Sequence, residues 1–222
     1  MILIVIVVIA LLATFSVAEF NLSAKEERFP ITGESGLTYC SGSKRWERKA
    51  IERAFVQMER TTDGERLGEE LIVHSVCIDV KRLDYNGGYF TNNYSPGHLE
   101  YEIVINRDVL SVLRDDELAA LLIHEATHAH REIFGTACYQ TYKCTKLQNG
   151  VEAEEEVAAH SAEARYWIEI HGPNGTYTGI SYAGSVGALY LNELVKAYEQ
   201  GPDAFFAYVV QLRSDPREGQ GI

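Results

Sequence analysis

His124-Glu125-Ala126-Thr127-His128 places two imidazoles four residues apart, with an acid between them. On an α-helix four residues complete about one turn, so both rings leave the same face and can grip one metal ion. Glu125 is rotated about 100° from His124. It stands beside the metal rather than on it, where a carboxylate can take a proton from metal-bound water. Leu118, Leu121, Leu122 and Ile123 precede or overlap the motif and deliver it into a core, not onto a solvated face. The chemistry implied is hydrolysis assisted by a single catalytic Zn2+.

A catalytic zinc takes three protein ligands and keeps one position open. His130 lies two residues past His128, about 200° round the helix, and points off the metal face. The metzincin spacing needs a third His where this chain has Phe134. Cys77 lies upstream, as in deformylase-like sites, but lacks their Gly-Cys turn and is expected to pair with another cysteine. The downstream run Val151-Glu152-Ala153-Glu154-Glu155-Glu156 is the better source. Most of these acids read as a solvated face. Glu156, however, shares a helical face with Ala159, Glu163 and Trp167, and a carboxylate aimed into a helix contact is costly unless a cation meets it. Glu156 is therefore the preferred third ligand, with Glu155 and Glu152 as alternatives.

A His-Glu-x-x-His helix followed by a Glu on the next long helix resembles the gluzincin type of zinc metallopeptidase, over about Asp115 to Trp167. The resemblance implies an α+β, zincin-like fold. Its sheet is small, N-terminal and antiparallel or mixed, with an edge strand before the motif helix and a mainly helical C-terminal part. It also implies a peptide or protein substrate, which in such folds pairs with that edge strand; Glu100 to Asn106 occupies the place. Gluzincins often carry Glu-x-x-Ala-Asp in the second helix. Here the stretch reads Glu156-Val157-Ala158-Ala159-His160, so His160 replaces the Asp that orients a zinc-bound His. His160 and Tyr166, with Tyr139 and Tyr142, are candidates for oxyanion or supporting contacts. A rival reading is an exported zinc-holding domain without peptidase activity, serving adhesion or assembly.

The elements that must position these groups follow from periodicity. Trp46, Ala50, Ile51, Ala54, Phe55 and Met58 form a helical stripe over 43–60, closed by Thr61-Thr62-Asp63-Gly64. Residues 71–80 are rich in β-branched side chains and read as a strand. Asn86-Gly87-Gly88 signals a turn, and 100–106 alternates like a strand at a sheet edge. Asp115-Asp116-Glu117 supplies an N-cap and an acidic first turn for a helix to about Phe134, stopped by Gly135. Further helices are expected over 151–170, 186–200 and 202–212, with a turn at 172–175 and a Pro at an allowed first position, Pro202.

The chain has 222 residues, 20 Lys+Arg and 32 Asp+Glu, giving a net charge of −12. That balance excludes a nucleic-acid binder, which needs a basic face. Residues 1–18 carry no charged side chain and end Ser16-Val17-Ala18, which reads as a signal peptide or an N-terminal membrane anchor. Residues 19–36 read as a linker, 37–213 as the metallopeptidase domain and 214–222 as a flexible tail. The protein is thus expected to be exported, with membrane contact only through 1–18 if they are retained. Four cysteines in an oxidising compartment suggest two disulfides, 138–144 with 40–77 as the favoured pairing. Asn21, Asn93 and Asn174 begin glycosylation triplets.

Overall fold

A computed structural model describes residues 30–40, 42–84, 87–95, 98–141, 144–147, 152–173 and 186–214. The expectations for 1–18, 19–29, Asn21, Tyr142, Asn174 and the tail beyond 214 lie outside these residues, as do Asn86, Gly175 and the Tyr139 side chain. The fold is α+β, a small mixed sheet followed by a mainly helical remainder. Its strands are β1 (Ile31–Thr32), β2 (Thr38–Tyr39), β3 (Cys77–Lys81), β4 (Gly88–Ser95) and β5 (His98–Asn106). They lie in the order β1-β2-β3-β5-β4. β2, β3 and β5 run parallel, while β1 and β4 are antiparallel to their neighbours.

The helices are α1 (Arg45–Met58), α2 (Thr62–Val73), the short α3 (Arg107–Leu110), α4 (Asp115–Ile133), the short α5 (Cys138–Thr141), α6 (Ala153–His171), α7 (Val186–Glu199) and α8 (Pro202–Ser214). α4 is the centre of the molecule. It packs on α1, on α2, on α6, and on the sheet through β4 and β5. α7 and α8 in turn pack on α6. One continuous core joins Phe55, Leu67, Ile78, Ile103, Leu122, Trp167, Leu194 and Val209. Among the described residues no helix is long and apolar enough to cross a membrane. Disulfides join Cys40 to Cys77 and Cys138 to Cys144, the favoured pairing. Such bonds persist in oxidising, extracytoplasmic surroundings.

The sequence reading needs correction at four places. The strand expected over 71–80 begins only at Cys77, because Leu71, Ile72 and Val73 finish α2. Thr61 is not the close of one helix but the N-cap of the next, its hydroxyl accepting from Gly64 N at 3.2 Å. Leu67 and Leu71, one turn apart, bury the helix against the core, and that outweighs β-propensity.

The second correction concerns Glu100 to Asn106, which is not an edge. β5 is flanked by β3 and β4, and Ile103, Val104 and Ile105 are all buried, as a strand covered on both faces requires. The outer strand beside α4 is β4. Third, the linker expected over 19–36 is structured at its end, where Ile31–Thr32 pairs with Thr38–Tyr39. Fourth, the N-cap of α4 is Arg114; Glu117 closes the first turn by accepting from Arg114 N at 3.0 Å. Gly135, at φ 67°, follows the helix end as expected.

Candidate metal centre

α4 carries His124, Glu125 and His128 into the core with 4 %, 3 % and intermediate exposure respectively. The helical turn brings the His124 and His128 Nε2 atoms to 3.1 Å from each other. α6 crosses beside them and presents Glu156, its Oε2 3.6 Å from His124 Nε2 and its Oε1 3.8 Å from His128 Nε2. The small Ala159 and Ala162 on α6, both buried, permit this approach. His160, one turn along α6, adds a third imidazole, with its Nε2 3.6 Å from Glu156 Oε2 and its ring 4.5 Å from that of His124.

Further groups support these donors. Glu163 Oε2 lies 2.5 Å from His160 Nδ1 and 3.3 Å from His124 Nδ1. The Tyr190 hydroxyl, from α7, donates to Glu163 Oε2 at 3.2 Å and lies 2.9 Å from His160 Nδ1. Glu155 stands 3.9 Å from His128 Nδ1, an electrostatic distance, and accepts from Arg131 at 2.8 and 3.0 Å and from Cys138 N. Arg213, at the end of α8, pairs with Glu156 and sets its Nη2 3.3 Å from His124 Nε2.

The protonation states follow from this packing. Burial, helped by the neighbouring imidazoles, outweighs Glu163 and pushes His124 down to about 4. His124 is therefore neutral, with its proton on the Nδ1 facing Glu163 and an Nε2 lone pair facing Glu156. Burial also acts to lower His128, but Glu155 and Glu156 outweigh it and raise the group. Burial acts to raise Glu156, yet Arg213 and the three imidazoles hold it down to about 2. Glu163 is likewise held below the usual carboxylate range by His124 and His160 against the effect of burial. Glu125 is the exception. Burial pushes it up to about 7, the only acid of the cluster poised to exchange a proton near neutrality.

The donors fit a metal. Two ligand atoms about 2.1 Å from a tetrahedral zinc stand about 3.4 Å apart; the His124 and His128 Nε2 atoms are 3.1 Å apart, His124 Nε2 is 3.6 Å from Glu156 Oε2, and His128 Nε2 faces the other carboxylate oxygen, Oε1, at 3.8 Å. A ligand atom each from His124, Glu156 and His160 fall within 4.8 Å of one another. The His160 Nε2 is buried and makes no hydrogen bond among the described residues. Two other groupings of this size, Cys138 and Cys144 with Glu152, and Cys40 with Asp79 and Glu102, use sulfurs already spent in disulfides.

Of the acids weighed in the sequence, the structure brings Glu156 to the His pair. Glu155 instead backs His128, and Glu152 stands at the N-cap of α6 near the Cys138–Cys144 bond. His130 turns away to Glu70 Oε2, at 2.6 Å, and Cys77 is bonded to Cys40. Tyr166 is not at the site: its hydroxyl is buried near Asp116, without a hydrogen-bond partner among the described residues. Three contributors escaped the sequence reading. Glu163 shares the helical face of Glu156, which was a usable signal; Tyr190 and Arg213 carried none. No protein-family model, curated protein or solved structure matches this chain.

Proposed function

We propose that the protein is a zinc-dependent metallopeptidase of zincin-like architecture. The observation carrying this reading is Glu125. A site that only holds a metal has no use for a buried acid one residue from its ligand His124, with its carboxylate facing the start of β4. His124, His128 and Glu156 would hold the ion. A bound Zn2+ supplies a Lewis acid that polarises the scissile carbonyl and acidifies water.

The chain's own residues do the rest. Glu125 takes the proton of the attacking water on its carboxylate and returns it to the leaving nitrogen. Its Oε1 faces the start of β4, where a Cβ on residue 88 would come within 3.3 Å of it; glycine keeps that approach open. β4 is the outer strand, so an extended peptide can add to it through backbone groups and run past Glu125. This transfers to β4 the substrate role expected of Glu100–Asn106.

The test is casein cleavage and zinc content in paired variants. Glu125→Gln should lose hydrolysis by at least about 100-fold while keeping its zinc. Glu156→Ala should lose both. Unchanged hydrolysis in Glu125→Gln would leave the rival, a zinc-holding domain without peptidase activity, as the better account.

A further inference from the structure

His160 stands where gluzincins often carry an Asp, and its surroundings give it a different task. It lies one helical turn after Glu156 on α6, so the two side chains leave the same face. Its Nδ1 is engaged by Glu163 Oε2 at 2.5 Å and lies 2.9 Å from the Tyr190 hydroxyl. That fixes the ring and, with a carboxylate as partner, places the proton on Nδ1. The Nε2 lone pair then points inward. It is buried, makes no hydrogen bond among the described residues, and faces Glu156 Oε2 at 3.6 Å. An acceptor buried without a donor costs about 1–3 kcal/mol. A cation held jointly with Glu156 and His124 would relieve that cost, and one donor atom from each of the three lies within 4.8 Å of the others.

We infer that His160 is a metal ligand through Nε2, giving a set of three imidazoles and one carboxylate. This rests on the metal-centre reading above and extends it. Glu163 then orients two ligands at once, since its Oε2 reaches Nδ1 of both His124 and His160. A zinc held by these four residues would still have room for water, since zinc reaches five ligands.

X-ray absorption fine structure on the full chain, reconstituted with one equivalent of Zn2+, counts the imidazoles without any variant. Three are expected. Chelator competition on His160→Gln should show zinc affinity falling by about 100-fold or more, beyond what loss of a supporting contact alone removes. Two imidazoles in the wild type, or a loss well under about 100-fold in His160→Gln, overturns the assignment of His160. Those outcomes leave the peptidase reading standing if hydrolysis still depends on Glu125. A wild-type chain that takes up no zinc overturns both.

Discussion

One carboxylate oxygen of Glu163 lies within 3.3 Å of Nδ1 on two separate rings, His124 and His160. Such an acid fixes ring orientation and raises the basicity of the opposite nitrogen. Glu163→Gln keeps the shape and removes the charge, so zinc affinity should fall by about 10–100-fold in chelator competition. An affinity within twofold of wild type would mean the rings are held by packing alone. At this scale the sequence was legible wherever helical periodicity decides the geometry. His124, Glu125 and His128 are fixed by one turn of one helix, and Glu156 by the face it shares with Ala159 and Glu163. That Glu163 shares the face of Glu156 was legible; which nitrogens it reaches was not, because that depends on how far α6 slides along α4.

Between elements, the tie that matters most joins α4 to α6. Arg131 donates twice to Glu155, which also backs His128 and accepts from the Cys138 amide. Burial acts to raise Glu155, but His128 and Arg131 outweigh it and hold the carboxyl down to about 2, against an ordinary 4.5. A depressed acid stabilises the fold above its unfolded pKa and loses that contribution as pH falls through its folded one. Stability from this group should therefore be complete above pH 4.5 and disappear toward pH 2. Glu155→Gln should be less stable than wild type by about 2 kcal/mol at pH 7 in urea unfolding. The two midpoints should converge below pH 2; a constant gap across that range would detach the effect from ionisation. Elements were less legible than residues. α4 and α6 have long, bounded patterns, and their limits move by two residues at most. α2 was hidden because its apolar end, Leu71-Ile72-Val73, runs on through the loop at His74–Ser75 toward β3. The expected edge role of β5 failed for another reason: which strand lies outermost is decided by the parallel pairing with β3, and no local pattern records that.

Across the whole molecule, the candidate metal centre is closed by α8. Arg213 lies 89 positions from His124, yet α8 folds back on α6 and brings its guanidinium to Glu156 and within 3.3 Å of His124 Nε2. Glu156 and His124 are among the donors proposed for the metal, so guanidinium and a bound ion would compete for the same atoms. Like charges about 4 Å apart repel by about 4 kcal/mol per unit charge near a protein surface, reduced here by the freedom of a long side chain to swing away. Arg213→Gln should therefore bind Zn2+ at least about tenfold more tightly in chelator competition. The same change strips the buried Glu156 of its counter-ion, so the metal-free variant should unfold about 3 kcal/mol more easily. Arg213→Lys retains the charge and should stay close to wild type in both measurements. Zinc binding to the wild type should also speed amide exchange in the last turn of α8, as the guanidinium gives up its place. Tighter zinc binding paired with a weaker metal-free fold is the combination that competition requires; affinity that stays level or drops in Arg213→Gln would make Arg213 a supporter of the site instead.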